Sequence, residues 1–533
     1  MTIISSADVD RIEITTVPLP DHVHDPSGTY TASGNVAVLH RTGAPGADEF
    51  AVSIVADDGS DFRTIFEGSI PQHSKANGIR LMPFADNTRF HLGDWILECE
   101  PDIDTCRGAR LVPVEYPWGV TESPLTTHHW SEIIVSPDND HVAWTMLRSD
   151  MGAAAAWGRL RREAERYVID DATIISGSAE LVPDPERDGF VTVPVTRGGE
   201  VKQFVRGGTA ISQVGDGGGF LPDSVVQELD GEGVIPVTRT PGYDETTIFS
   251  PDEQLGIVMT SRASEPTNPA ILGLVPRPCA SLAGRGVSWA AYMYTVSGVR
   301  TFRDGNVGPA LVSIDRSSSD SDYVGTDLSD PEGRWVYYSP MSWHPSSTRA
   351  MWMEGLREIT PGGEHPKMRI RVARLLDYAA SAAVPVAPAP KRIPYGLTGE
   401  DARASLSKPA PDVITGRIAG RHSGHVDVER RAGDIASGRA ATTSIVYSGY
   451  SDDGKAFYDG SERSESSFAT GTVYTADLAV TGAVDAEMRL RMTWTGVADG
   501  TRLVFANAAD GSPASHGFAR LGERRLEVDD LVE

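Results

Sequence analysis

Only three cysteines, Cys99, Cys106 and Cys279, occur in 533 residues. That number excludes a disulfide framework. Cys99 and Cys106 are spaced for a local pair, but two reduced thiols are the expected state. No run of about eighteen apolar residues is present, which excludes a typical spanning helix. The opening MTIISSADVDRIEITTVPLP lacks a basic start, an apolar core and a small-residue cleavage site. The expectation is therefore no signal peptide and a cytoplasmic protein. Cations are scarce as well: 48 Lys and Arg stand against 74 Asp and Glu, giving a net charge of −26. Such a chain is repelled by nucleic acid and by anionic membranes, and its acidic surface serves solubility. The glycines at 215–219 lack the Lys-Ser/Thr ending and strand–helix setting of a nucleotide loop.

What the chain does contain is repetition. His129-Trp130-Ser131-Glu132-Ile133-Ile134-Val135-Ser136-Pro137-Asp138 can be laid over Tyr243-Asp244-Glu245-Thr246-Thr247-Ile248-Phe249-Ser250-Pro251-Asp252. Both can be laid over Tyr337-Tyr338-Ser339-Pro340-Met341-Ser342-Trp343-His344-Pro345-Ser346. Each run reaches a tight turn and leaves as a second apolar run: His141–Trp144, Leu255–Val258 and Arg349–Trp352. Strand, turn and returning strand, repeated along one chain, predict an all-β propeller. Length points to two domains.

Residues 1–30 read as an extended lead-in and 31–378 as the propeller. Phe50–Val55 and Phe62–Phe66 flank an Asp-Gly turn; Trp95–Cys99 with Ala109–Val114, and Val225–Leu229 with Val234–Val237, are further strand pairs. At about 45 to 60 residues per blade the span holds six or seven blades, seven preferred. Ala153–Arg166 fits a surface helix by propensity or a long outer strand by position. Residues 379–411 are rich in Ala and Pro and form an extended, semi-rigid linker. From 412 to 533 polar and apolar residues alternate again, as in a small antiparallel β-sandwich.

The Ser-Pro-Asp turns, and Ala56-Asp57-Asp58-Gly59-Ser60 before Phe62-Arg63-Thr64-Ile65-Phe66, resemble TolB-type propeller repeats. The same style is found in the propellers of prolyl-oligopeptidase-like peptidases and oligogalacturonate lyases. Asn139 and Glu253 stand where the repeat usually has glycine. The resemblance implies fold, not function, since these propellers serve binding and catalysis alike. No Gly-x-Ser-x-Gly elbow follows the propeller, so a peptidase domain is not expected. The lyase resemblance implies a metal held by several His and a Gln. His344-Pro345 before Met351–Gly355 loosely resembles the lyase strand pattern, and the other ligands have no counterpart here.

In a propeller the leading ends of the inner strands converge on one funnel. Descending ends supply His129, Trp130, Ser131 and Glu132, then Asp244 and Glu245, then Tyr338 and Ser339. Ascending ends supply Met146 and Arg148, Thr260 and Arg262, and Glu354. His129, with an unperturbed pKa near neutrality, is the candidate acid/base, with Glu245, Asp244 or Glu132 to orient it or to act as base. Arg148 and Arg262 are placed to clamp a carboxylate or phosphate. Arg277 sits in a stiff Pro-Arg-Pro loop that suits anion recognition or packing. Glu200 and Lys202 share one strand face, as an ion pair or as part of the site. Trp130, Trp343 and Trp352 offer aromatic surface to a sugar ring or terpenoid-like skeleton, or pack blades. His128-His129 and His22-x-His24 are the weak hints of a divalent metal; His344 reads as a turn cap. Asp320-x-Asp322 and Asp452-Asp453-Gly454 read as solvated turns.

The expectation is an enzyme of lyase, hydrolase or isomerase type, acting by acid/base catalysis on a small oxygenated metabolite. The competing expectation is a non-catalytic scaffold that binds a protein partner. A homo-oligomer is compatible with either.

Overall fold

A computed structural model describes residues 2–42, 48–71, 80–118, 126–128, 132–148, 153–176, 181–183, 186, 190–192, 199–215, 219–231, 233–357, 367–407, 412–433, 438–497 and 502–531. Its larger part is an all-β propeller. Among the described residues six antiparallel groups of strands follow one another along the chain; a parallel pairing of Val114 and Glu115 with Tyr167 and Val168 joins the second to the third, and Leu181–Pro183 with Phe190–Thr192 forms a separate hairpin. The first is His24–Tyr30, Val36–Arg41, Glu49–Val55 and Arg63–Ser69; the second is Met82–Pro83, Arg89–Leu92, Trp95–Glu100 and Gly108–Glu115. The third joins Thr126–His128 and Ile133–Val135 to His141–Arg148, Ala153–Arg162 and Tyr167–Ile174. Val201–Val205, Ala210–Gly215, Asp223–Glu228 and Val234–Pro236 form the fourth. The fifth is Asp244–Phe249, Leu255–Thr260, Ala310–Ser313 and Thr326–Asp327. Trp335–Trp343, Arg349–Leu356 and Met368–Leu375 begin the sixth. The first strand of each sheet touches the first strand of the next, and that of the sixth touches that of the first. The ring therefore closes with six sheets among the described residues, where seven were preferred from repeat length.

Closure corrects the reading of the lead-in. Asp10–Thr16 pairs with Met368–Leu375, from Ile12 opposite Leu375 to Thr16 opposite Arg371, and Thr2–Ser6 adds a fifth strand outside it. Ile12 and Ile14 are buried there with Trp352, Ala373 and Leu375. Strand pairing between residues 360 positions apart is invisible to a local reading of the sequence.

The turn after each inner strand is the repeated object. In five sheets an amide bonds back to a carbonyl three residues earlier: Gly34 to Thr31, Asn87 to Phe84, Asn139 to Ser136, Glu253 to Ser250 and Ser347 to His344. Each donor residue has a positive φ, between 54° and 93°. Outside glycine this left-handed conformation costs roughly 1–2 kcal/mol. At three turns the side chain gives something back. Asn139 Oδ1 accepts from Asp86 N (3.0 Å), Glu253 Oε1 from Arg206 N (2.5 Å) and Ser347 Oγ from Asp252 N (3.1 Å). Each bond reaches the turn of the preceding sheet. That is why Asn139 and Glu253 replace glycine: they staple neighbouring blades.

Ala153–Arg162 is a strand, not a helix. Ala154 and Ala156 pack with Trp144 and Met146 on one side, while Ala155 and Trp157 pack with Val201 and Phe204 on the other. Burial on both faces selects small side chains and overrides helix propensity. The linker is extended from Tyr378 to Gly396 but is fastened to the propeller. Tyr378 OH donates to Asp252 Oδ2 (2.7 Å), Val384 N to Pro251 O (2.9 Å), Ala387 N to Gly207 O (2.9 Å) and Tyr395 OH to Glu228 O (2.7 Å). A short helix, Gly399–Ser407, then buries Ala402 and Leu406 against the third sheet.

The C-terminal part is not a sandwich. Its eight strands, from Val413–Ala419 to Arg524–Glu527, form one antiparallel meander in sequence order. The apolar face that a second sheet would have covered is covered by a helix. That helix is Ala280–Tyr292, continued by a wide turn at Met293–Ser297 and by Gly298–Thr301. It is inserted between the second and third strands of the fifth sheet, and its Leu282, Val287 and Tyr294 pack among Ile445, Tyr474, Met488 and Trp494.

Candidate active site

The funnel gathers charged side chains from successive inner strands. Lys202 Nζ lies 2.7 Å from Glu200 Oε2, 3.4 Å from Glu245 Oε1 and 4.0 Å from Glu132 Oε1. These three carboxylates come from the third, fourth and fifth sheets. Arg80, just before the second sheet, pairs with Glu132. Tyr243 OH donates to Glu245 Oε2 (2.9 Å). Exposure is graded: the side chains of Glu200 and Arg80 are about a third exposed (33% and 29%), Glu245 13%, Glu132 5% and Lys202 2%.

Burial alone would drive Lys202 toward neutrality, but the carboxylates of Glu200, Glu132 and Glu245 outweigh it and hold the ammonium above its ordinary range. Lys202 is therefore a fixed positive charge, not a base. Burial, reinforced by the charge of Glu245, lifts Tyr243 well above the ordinary phenol value, so it remains a hydrogen-bond donor. Tyr337 is raised by burial too, and its hydroxyl lies 3.2 Å from Ser339 Oγ.

Four sequence candidates, Glu132, Glu200, Lys202 and Glu245, thus meet. Glu200 and Lys202 form the expected pair and the wider cluster at once. His129 and Trp130 lie outside the described residues, as does Ser131, and the side chain of Arg148 is likewise outside them.

Other candidates stand elsewhere. Asp244 faces away from Glu245 and takes both ends of Arg262, Oδ1 to Nε at 3.2 Å and Oδ2 to Nη2 at 2.9 Å. Thr240 also donates to Asp244, and Arg262 Nη1 donates to Tyr323 O. A register shift between Asp244 and Thr247 changes which face each residue shows, so counting back from the turn misplaced Asp244 and Arg262. Glu354 is buried inside the sixth sheet, accepting from Trp352 Nε1 (2.9 Å) and Arg369 Nε (2.7 Å). Arg277 is wholly buried under the meander, donating to Glu462, Leu272 O, Val275 O and Tyr474 OH. Trp343 donates to Ile248 O, between sheets, and Trp352 is in the core. Tyr338 is half-buried, with the guanidinium of Arg300 4.6 Å from its ring.

The reading of inner strands missed Arg80, Tyr243, Tyr292, Tyr337 and Arg300. Tyr243 and Tyr337 are the first residues of two aligned repeats, and that offset could have flagged them. Arg80 comes from a loop, and Tyr292 and Arg300 from the inserted helix, where no repeat signal exists. Among the described residues no group of three His, Cys, Asp or Glu is arranged to hold a metal. The cation that the three glutamates share is the lysine ammonium. His344 caps its turn, accepting from Ser346 N at 3.1 Å.

No protein-family model matches the chain, and no curated protein matches it. Solved structures similar to it are propeller proteins of the kind the repeats resemble. A putative TolB from Agrobacterium tumefaciens is 11% identical, with a TM-score of 0.33, covering 63% of this chain and 90% of that one. An oligogalacturonate lyase in complex with manganese is 11% identical, with a TM-score of 0.34, covering 70% and 95%. The propeller domain of the Trilobed protease from Pyrococcus furiosus is 8% identical, with a TM-score of 0.32, covering 62% and 91%. At such scores the strand order and ring closure described above carry the fold, and the likenesses carry no functional conclusion.

Proposed function

We infer that the chain is an enzyme of lyase, hydrolase or isomerase type that works by acid/base catalysis in the propeller funnel on a small oxygenated metabolite. The observation behind this reading is a single buried ammonium within 4.0 Å of carboxylates from three different sheets. A purely structural lysine needs one partner. Three carboxylates that converge on one cation at the funnel make an arrangement that can orient a substrate hydroxyl and take up a proton. Glu245 is the base of this reading, oriented by Tyr243 and Lys202; it is a carboxylate held on two sides, as a general base requires. Lys202 stabilises negative charge that develops on substrate oxygen. Tyr337 is a neutral phenol suited to hydroxyl recognition, while Tyr243 donates its hydrogen bond to Glu245.

The test is an NMR turnover screen of sugars, sugar acids and hydroxy acids, run on wild type and on Glu245→Gln. Wild type is expected to consume at least one compound, with Glu245→Gln slower by about 10²- to 10³-fold and folded to the same temperature. Consumption by Glu245→Gln at the wild-type rate removes Glu245 as base. No consumption of any compound, together with capture of a protein on the propeller rim, favours the scaffold.

A further inference from the structure

Resting on the funnel reading above, we propose that Arg300 docks an oxyanion of the substrate, a carboxylate or phosphate, so that the metabolite is an acid and not a neutral polyol. Arg300 comes from the last short segment of the inserted helix, Gly298–Thr301, which lies against the inner strand of the sixth sheet. Its Nε donates to the main-chain carbonyl of Tyr337 (3.0 Å). Its guanidinium carbon lies over the rings of Tyr338 (4.6 Å) and Tyr337 (5.6 Å). One nitrogen and the flat face are thus fixed. The two terminal nitrogens have no hydrogen-bond or ion-pair partner among the described residues, whereas Arg80 and Arg262 are each committed to a carboxylate. A guanidinium held in this way presents a preorganised fork, the geometry that binds carboxylate or phosphate through paired N–H bonds.

Its place is the cluster already described. Tyr337, whose carbonyl and ring Arg300 meets, belongs to the inner strand of the sixth sheet, and that strand touches the inner strand of the fifth, which carries Glu245. An anion entering a funnel that holds three glutamates, on a chain of net charge −26, needs a dedicated cation. Lys202 is already shared among carboxylates, and Arg300 has terminal nitrogens to spare among the described residues. Chain order separates the two roles: the inner strands supply acid/base groups, and the insert supplies recognition.

The experiment is calorimetric titration of the full chain with glucose, gluconate and glucose 6-phosphate. At least one acid is expected to bind about tenfold or more tightly than glucose, as a charge-assisted bidentate contact is worth. Which acid is preferred tells carboxylate from phosphate. Arg300→Met should bring acid and neutral sugar within about twofold, and Arg300→Lys should keep part of the preference. Thermal unfolding of both variants controls for folding. Equal binding of glucose and the acids, an undiminished preference in Arg300→Met, or no binding of any of the three overturns the proposal. Glu245→Gln separates the two readings. Lost turnover there with the acid preference of wild type unmoved by Arg300→Met sinks only the docking role. Unchanged turnover in Glu245→Gln with the preference lost in Arg300→Met sinks only the base.

Discussion

The Arg277–Glu462 pair under the meander and the Lys202 cluster in the funnel bury charge of similar kind and use it differently. Arg277 and Glu462 are both fully buried, and every guanidinium nitrogen and both carboxylate oxygens have a partner. Glu462 receives Arg277 Nε at 2.8 Å and the hydroxyls of Tyr447 (2.8 Å) and Tyr474 (2.6 Å). The remaining nitrogens of Arg277 donate to two carbonyls and to Tyr474, and its face lies 4.6 Å from the ring centre of Phe220. Asp244–Arg262 is closed in the same way. In the funnel Lys202 serves three carboxylates, one of which also pairs with Arg80, and the cluster opens from a buried lysine toward a partly exposed glutamate. Complete pairing marks a strut; an excess of acceptors facing a mouth marks a candidate site.

The contrast can be broken first at Arg277. Arg277→Met leaves Glu462 charged and unpaired in the core, and should cost about 3–5 kcal/mol in urea unfolding. Adding Glu462→Leu should restore most of it. A loss under about 1 kcal/mol for the single variant would contradict the strut reading.

A second test uses His91, which is fully buried and has no hydrogen-bond partner on either ring nitrogen among the described residues. Burial lowers its pKa from 6.5 to about 3. Below 6.5 the unfolded imidazole takes a proton that the folded one refuses until about pH 3. Stability from this group is therefore complete above pH 6.5 and drains away through that window, by up to about 1.4 kcal/mol per pH unit. Urea midpoints measured from pH 7 to pH 4 should fall less steeply for His91→Leu than for wild type. Identical slopes would show that the imidazole is not held neutral.

Next come the staples. Asn139→Ala keeps the left-handed strain and deletes the bond to Asp86, for an expected loss of about 1–2 kcal/mol. Asn139→Gly deletes the bond but relieves the strain, and should land near neutral. If the two variants unfold at the same midpoint, the strain account is wrong. The smallest effect belongs to the funnel. Glu200→Gln should move stability by less than about 1 kcal/mol, because Lys202 keeps Glu132 and Glu245 and the pair is partly exposed. A larger loss would make the cluster structural.

Three turns could be read from Ser-Pro-Asp or His-Pro-Ser, and those three located half the ring. The turns at Thr31–Gly34 and Phe84–Asn87 have the same geometry in other letters, since the turn demands a left-handed residue and one hydrogen bond, not a motif. Glu132, Glu245, Glu200 and Lys202 were legible because strand alternation and distance from the turn fix which residues reach the funnel. Asp244, Arg262 and Glu354 were not, because a bulge or a neighbouring arginine turns each of them inward. The inserted helix escaped notice for another reason. Ala280–Tyr292 contains Gly284 and Gly286, weak helix formers. Its stability comes from a sheet that lies more than a hundred residues further on, and Arg300 came unannounced with it.

The pairing of Asp10–Thr16 with Met368–Leu375 sets an order on synthesis. As the chain leaves the ribosome, Asp10–Thr16 must wait for a partner some 350 residues away, roughly 20–70 s at ordinary elongation speeds. Throughout that interval the nascent protein carries an unmated β edge, the surface on which neighbouring polypeptides pair in error.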